Sequence, residues 1–164
     1  MFEVNDYIMY GVTGVCRVTG IEEKIINHIK KDYYVLSPVY SKNIVIKIPV
    51  DNEKVTMRKL HTKEEVESLI NSMPNKETLW IDDDKERNET FKSMLKSADC
   101  NDFITLIKSI YSNKKIRKTI AKTMHKADDE IMKAAENLLN EEFATILGIE
   151  LEEVTPYILD KIAE

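Results

Sequence analysis

The chain has 164 residues, of which 43% are hydrophobic, and a formal net charge of −5 at pH 7. No apolar run approaches the ~18 residues that cross a bilayer, and the first residues lack the pattern of a secretory signal, so a cytoplasmic protein without membrane contact is expected. The negative net charge argues against a protein that coats nucleic acid by bulk electrostatics.

The first 60 residues carry short runs of β-branched and aromatic side chains separated by turn residues. Gly11 and Gly14 mark the first turn, and Pro49 fits a strand end or a sheet edge. Strands are expected at 4–10, 15–26, 33–36, 44–50 and 55–58. The second of these ends at 25–26 and is followed by a polar connection at 27–32. Five strands in so short a region predict a small Tudor/SH3-like β-barrel, which has no room for an enclosed pocket.

From about residue 62 the hydrophobic residues recur at helical spacing. Thr62 and Glu65 form a capping-box pattern, Pro74 ends the first predicted helix, and Gly148 is placed to end the fourth. The second helix is expected at 82–97, and the third begins after a cap at Asp99 or Asn101. The last two are expected at 127–147 and 151–162. These helices predict a compact bundle.

The fold class is therefore predicted as α+β, with a five-stranded β-barrel domain at 1–60 and a bundle of four to five helices at 61–164. The first region holds 9 basic and 7 acidic residues, whereas the second holds 15 and 22. Within the acidic second region, no Asp or Glu occurs from Phe103 to Ala127. A local positive patch on an acidic domain is expected there.

The sequence contains no motif that is typical of a catalytic site or a metal site. His28, His61 and His125 share no metal-ligand spacing, and Cys16 and Cys100 lie far apart in different regions. No glycine-rich phosphate loop or nucleophile elbow is present. The sequence predicts a protein that is not an enzyme and that has no cofactor or metal ion.

The basic stretch from Lys114 to Lys126 offers a more specific signal. If it is helical, Lys114, Lys118 and Lys122 line one face while isoleucines line another, so one side would pack and the other would bind phosphates. The same pattern also fits a merely solvated face. Two or three phosphate contacts give weak, salt-dependent binding, so a second anchor would be required.

Trp80 is the only tryptophan and lies at the joint between the two regions. Six charged residues, Asp82 to Arg87, follow almost at once. An indole needs either a core to bury it or a partner to stack on. The alternatives are that Trp80 packs between the two regions or that it is presented to a partner.

Several motifs together resemble the CarD/CdnL-type bacterial transcription regulators. The opening Phe2-x-Val4-Asn-Asp6-Tyr-Ile-Met-Tyr10-x-x-x-Gly14-Val is similar to the start of that family. Later matches, in the family's order and spacing, are Ile48-Pro49-Val50-Asp51-Asn52, Trp80 after the first helix, Ser97-Ala-Asp99, and Ala134-x-x-x-Leu138-Leu-x-Glu141. The resemblance spans the whole chain.

The resemblance implies that the N-terminal domain binds the β subunit of bacterial RNA polymerase, by strand addition at a sheet edge. It also implies that the helical domain contacts promoter DNA at the upstream edge of the transcription bubble. Trp80 would act there as a minor-groove wedge that slows bubble collapse. Polymerase would supply the second anchor for weak DNA contacts. No feature requires a dimer, and a monomer is expected.

The resemblance assigns polymerase contacts to Lys24 and Lys47. The predicted DNA-binding set, from the resemblance and from the basic stretch, is Trp80, Lys85, Arg87, Lys114, Lys115, Arg117, Lys118 and Lys122. Asp82 and Asp83 stand where relatives often carry arginine, and the basic stretch is expected to take over part of the DNA contact. The alternative function is a protein–protein adaptor that docks on polymerase without touching DNA.

Overall fold

The computed structural model describes residues 1–119 and 125–163, except for the side chain of Thr119. The chain divides into two compact units, Met1–Leu60 and His61–Glu164. The first unit holds a β-sheet and the second holds the helices. Among the described residues, no helix has both the length and the hydropathy needed to span a membrane.

The first unit is a five-stranded antiparallel sheet, as predicted, and its order is β4-β3-β2-β1-β5. The strands are β1 (Tyr7–Tyr10), β2 (Gly14–Ile26), β3 (Ile29–Pro38), β4 (Ile46–Pro49) and β5 (Met57–Lys59). The core on one face of the sheet contains Ile8, Cys16, Val18, Tyr34, Leu36 and Ile48. A five-stranded sheet ahead of a helical region confirms the Tudor-like α+β fold class.

The hairpin between β2 and β3 is longer than predicted. The polar stretch 27–32 was expected to be a connection, but only Asn27 and His28 form the turn, and the ladder already closes with Ile26 opposite Ile29. Asn27 and His28 have φ values of 53° and 64°. Two consecutive residues with positive φ match the twist of a two-residue hairpin. The turn therefore lets β3 begin four residues earlier than its aromatic residues indicated.

The second unit contains five α-helices among the described residues, with two short 3₁₀ turns at Met73–Asn75 and Leu151–Glu153. The helices are α1 (Lys63–Ser72), α2 (Asp84–Lys96), α3 (Cys100–Thr119), α4 (Lys126–Leu147) and α5 (Val154–Ala163). The predicted capping box is present: the side chain of Thr62 accepts from the backbone N–H of Glu65, and the side chain of Glu65 accepts from the backbone N–H of Thr62. Gly148 ends α4 with a φ of 68°, as predicted.

Two further features of the helices bear on function. Asp99 accepts a hydrogen bond from the backbone N–H of Asn101 at 2.8 Å, so Asp99 caps the start of α3. The helix α3 then continues through the basic stretch as far as Thr119, which confirms the helical interpretation for that part. Ile116 does not pack as expected, since it is 60% exposed. Lys122, a predicted DNA contact, lies outside the described residues.

Candidate polymerase and nucleic-acid interfaces

The segment that carries Trp80 connects the 3₁₀ turn after α1 to the start of α2, and it is fastened to α3. The ammonium group of Lys108 donates to the carbonyls of Met73, Pro74 and Lys76 at 2.7–3.0 Å. The hydroxyl of Ser109 accepts a hydrogen bond from the backbone N–H of Leu79 at 2.8 Å. These bonds fix the backbone directly before Trp80.

Trp80 is half-buried and packs within the helical unit. Its ring meets that of Phe91 edge to face, with 6.1 Å between ring centroids and an interplanar angle of 70°. The guanidinium carbon of Arg87 lies 4.5 Å from the centroid of the indole. An edge-to-face pair and a cation above an aromatic face are both favourable arrangements. The indole is therefore held in one orientation while part of it stays accessible.

Arg87 is the residue that holds this arrangement together. Its guanidinium donates to both carboxylate oxygens of Asp128 at 3.1 and 3.0 Å, to Asp84 at 2.8 Å, and to the carbonyl of Ile81 at 2.9 Å. Burial opposes the charge of Arg87, but the bonds to Asp128 and Asp84 outweigh it and the pKa of Arg87 is raised. The guanidinium stays charged beneath the indole.

This placement corrects the expectation that Arg87 contacts DNA from the surface. Only 2% of Arg87 is exposed, and 2% of Asp128. A guanidinium that is buried and bonded to two carboxylates has few donors left for phosphate. The sequence did not reveal this, because Asp128 is 41 residues away in a different helix. Arg87 positions Trp80.

The acidic residues beside Trp80 differ in their environment. Asp83 caps α2 by accepting from the backbone N–H of Glu86, and Asp82 and Asp83 are exposed. The pKa of Asp84 is lowered, chiefly by its hydrogen bond from Arg87 and also by the charges of His125 and Arg117. The imidazole of His125, directly before α4, lies 3.5 Å from the carboxylate of Asp84. The negative charge beside Trp80 is thereby partly compensated.

The lysines of the basic stretch project from the last turns of α3. Lys114, Lys115 and Lys118 are exposed, whereas Arg117 is half-buried and donates to Asn113 at 2.8 Å. The ammonium group of Lys115 lies 4.7 Å from the centroid of the Tyr111 ring. Lys85, in the first turn of α2, is also exposed. Most of the predicted DNA-binding residues therefore lie in two elements, at or just before the start of α2 and in the last turns of α3.

The predicted polymerase contacts Lys24 and Lys47 share one face of the N-terminal sheet. Lys24 is on β2 with its ammonium group 5.2 Å from the centroid of the Tyr33 ring, and Lys47 is on the edge strand β4 with its ammonium group 2.9 Å from Glu22. Tyr33 is paired with Glu22, and Val35 with Lys47. Since Tyr34 and Leu36 point into the core, these residues lie on the opposite face. We call it the outer face.

An apolar hairpin tip extends the outer face and was missed by the sequence analysis. By the alternation along the ladder, Ile26 and Ile29 project from the same face as Lys24, and they are 53% and 67% exposed. Ile25 projects from the other face and is 65% exposed. Three exposed isoleucines at one hairpin end are typical of a protein contact. The sequence pattern does not reveal this tip, because it predicts a strand end at 25–26 and places Ile29 in the polar connection 27–32.

The helical unit also contains an apolar groove of about 420 Å³ between α3, α4 and α5. Its charged lining residues are Lys108 and Glu136. Burial raises the pKa of Glu136, as does the nearby charge of Asp129. The ammonium group of Lys108 is already bonded to three carbonyls.

Comparison with known proteins identifies the first unit. Residues 2–61 match the family model of the CarD-like/TRCF RID domain, a non-catalytic RNA polymerase-interacting domain. No curated protein matches the chain. The match supports RNA polymerase as the partner of the N-terminal domain. The match covers residues 2–61, less than half of the chain, and supports a CarD-like/TRCF RID domain in the first unit.

Proposed function

We propose that this protein is a non-catalytic transcription regulator of bacterial RNA polymerase. Its N-terminal domain binds the β subunit, and its helical domain contacts promoter DNA at the upstream edge of the transcription bubble. There Trp80 enters the minor groove and stabilises the open complex. The proposal extends the polymerase-interacting domain, which the family match supports, to a DNA contact made by the second unit.

One observation carries the DNA contact in this proposal: the half-buried indole of Trp80 is held by the Arg87 guanidinium over its ring and by an edge-to-face contact with Phe91. A wedge must be rigid, since an aromatic ring that reorients freely loses entropy on insertion. Because Arg87 and Phe91 already fix the orientation of the indole, little further entropy is lost when it inserts. The exposed lysines of α3 supply sequence-independent phosphate contacts around the ring.

The polymerase contact is proposed on the outer face and at the β4 edge. Strand β4 is at one end of the sheet, where its free side can pair with a strand of a partner. Lys24 and Lys47 add positive charge, and Ile26 and Ile29 add an apolar contact at the hairpin tip. A domain tethered in this way raises the local concentration of the helical unit at the promoter.

The test is the lifetime of polymerase–promoter open complexes with the wild-type protein and with Trp80→Ala, at fixed salt. Base–aromatic stacking contributes ~1–3 kcal/mol, so Trp80→Ala is expected to remove roughly 5- to 150-fold of any prolongation. Trp80→Phe, which keeps a stacking ring and the packing on Phe91, is the matched control and is expected to retain much of the effect. Each variant is first shown to fold and to bind polymerase.

A second candidate function is the adaptor that docks on polymerase without touching DNA. The specific observation in its favour is the exposed acidic pair Asp82 and Asp83 directly beside Trp80, which repels phosphate. Under this function Trp80 serves only to pack against Phe91 and Arg87. A folded, polymerase-bound Trp80→Ala variant whose complexes live as long as those with the wild type would favour the adaptor.

A further inference from the structure

A cluster of metal-ligand residues lies in the helical unit, apart from Trp80 and the basic end of α3. His61 directly precedes the cap of α1, Cys100 is the first residue of α3, and Glu142 is in the second half of α4. Their potential ligand atoms all lie within 4.8 Å of one another. Cys100 and Glu142 are completely buried, and 26% of the His61 side chain is exposed.

The carboxylate of Glu142 organises this cluster. One oxygen accepts a hydrogen bond from the backbone N–H of His61 at 2.8 Å, and the other accepts from the thiol of Cys100 at 3.0 Å. Burial of a carboxylate costs free energy unless donors or a cation compensate for it. The backbone bond fixes the orientation of the carboxylate and leaves the second oxygen directed at the sulfur.

A thiolate, an imidazole and a carboxylate form a donor set suited to Zn²⁺. Zinc–ligand distances of about 2.0–2.3 Å in a tetrahedron place the donor atoms roughly 3.5 Å apart. The Cys100 sulfur and the Glu142 oxygen, now 3.0 Å apart, have to separate by about 0.5 Å, whereas a pair at the 4.8 Å limit has to approach by about 1.3 Å. Rotations of the side chains can provide both changes. When the ion binds, the thiol loses its proton to solvent, and the ion takes the place of that proton between sulfur and Glu142.

Glu65 supports the imidazole of this set. A carboxylate oxygen of Glu65 lies 3.2 Å from Nδ1 of His61. In the proposed site the ion binds Nε2 of His61, so the carboxylate on Nδ1 orients the ring and raises its basicity.

We propose that His61, Cys100 and Glu142 form a Zn²⁺ site that fastens the starts of α1 and α3 to α4. Three protein ligands leave the fourth tetrahedral position to water, and an ion that ties the starts of two helices to α4 binds only the folded unit and stabilises it. Cys100 is 39 positions after His61, and Glu142 is 42 positions after Cys100, so these residues form no short sequence motif. This inference does not depend on the function proposed above.

The test uses the full-length chain, freed of metal by a chelator and titrated with Zn²⁺ or with Co²⁺ as a spectroscopic probe. We expect one Co²⁺ per chain, a thiolate-to-cobalt charge-transfer band, and a higher unfolding temperature with Zn²⁺. Because loss of a residue that only supports a ligand costs 10–100-fold in affinity, loss of a ligand in Cys100→Ser or His61→Ala is expected to cost at least about 100-fold. Glu65→Gln is expected to cost about 10-fold.

Cys16→Ser is the matched control, since Cys16 is equally buried but belongs to the N-terminal sheet. It is expected to leave the cobalt band unchanged. Circular dichroism first establishes that each metal-free variant is folded. The proposal is overturned if the wild type gives no thiolate band, or if the band persists in Cys100→Ser. In either case Glu142 is only a buried carboxylate satisfied by the N–H of His61 and the thiol of Cys100.

Discussion

At the scale of single residues, the central feature of the helical unit is the buried pair of Arg87 and Asp128. Their two parallel hydrogen bonds join α2 to the first turn of α4, and the same guanidinium covers the ring of Trp80. Removal of either residue leaves the charge of the other buried without its partner, which is strongly destabilising. The orientation of Trp80 and the stability of the unit therefore depend on the same bonds.

Asp128→Ala leaves Arg87 buried without its main partner and is expected to lower the free energy of unfolding of the helical unit by about 3–5 kcal/mol. Chemical denaturation followed by Trp80 fluorescence measures this loss. The control is Asp129→Ala, which removes a partly exposed ion pair with Lys133 and is expected to cost less than about 1 kcal/mol. Similar losses for the two variants would show that the buried pair has no special role.

At the scale of elements, the hairpin of β2 and β3 presents different surfaces on its two faces. Ile26 and Ile29 continue the outer face past Lys24, whereas Ile25 projects from the face that holds the core. This difference follows from the register, which is set by the two-residue turn at Asn27 and His28. The hairpin therefore offers a test in which exposure is similar and only the direction of the side chain changes.

Ile26→Asp and Ile29→Asp are expected to weaken polymerase binding by roughly 10- to 100-fold each, because burial of an isoleucine contributes about 1.5–3 kcal/mol. Ile25→Asp, on the opposite face, is expected to have little effect. The measurement is the dissociation constant for polymerase, with the thermal stability of each variant as a check on folding. Equal weakening by all three variants would mean that the hairpin tip, rather than the outer face, is the contact.

The basic end of α3 is the second element with a directional surface. If Lys114 and Lys118 contact phosphates, replacing both by Glu lowers DNA affinity and reduces the slope of log affinity against log salt by about 2. Lys92→Glu with Lys96→Glu makes the same charge change on α2, and both lysines are exposed. An unchanged salt slope in the α3 variant, or an equal reduction in the α2 variant, would count against a specific phosphate contact.

At the scale of the whole molecule, the two units have different proposed functions, one in polymerase binding and the other in stabilising the open promoter complex. The N-terminal unit supplies affinity for polymerase, and the helical unit acts on promoter DNA only after it has been brought there. The two tasks can be separated by concentration. A defect in binding shifts the response to higher protein concentration, whereas a defect in the wedge lowers the maximum response.

Lys24→Glu combined with Lys47→Glu is therefore expected to raise the concentration needed for half-maximal open-complex lifetime without lowering the maximum. Trp80→Ala is expected to lower the maximum at an unchanged midpoint. Titrations of open-complex lifetime against protein concentration give both quantities. A lower maximum for the lysine variant would indicate that the sheet itself influences the promoter, and the proposed division of work would fail.

The sequence by itself determined the order and type of the elements, because their signals are local. Strand residues, the capping box at Thr62 and Glu65, and the glycine at 148 act on their immediate neighbours, and all appear as predicted. The family of the N-terminal domain was also accessible, since its motifs lie within 60 residues.

Only the tertiary structure decided which distant side chains meet. The pairing of Arg87 with Asp128 and the cluster of His61, Cys100 and Glu142 join residues 39 to 81 positions apart. Such contacts depend on how helices pack, which no local pattern specifies. The direction of the hairpin isoleucines depended likewise on a register fixed by its turn, because a shift of one residue moves every side chain to the other face.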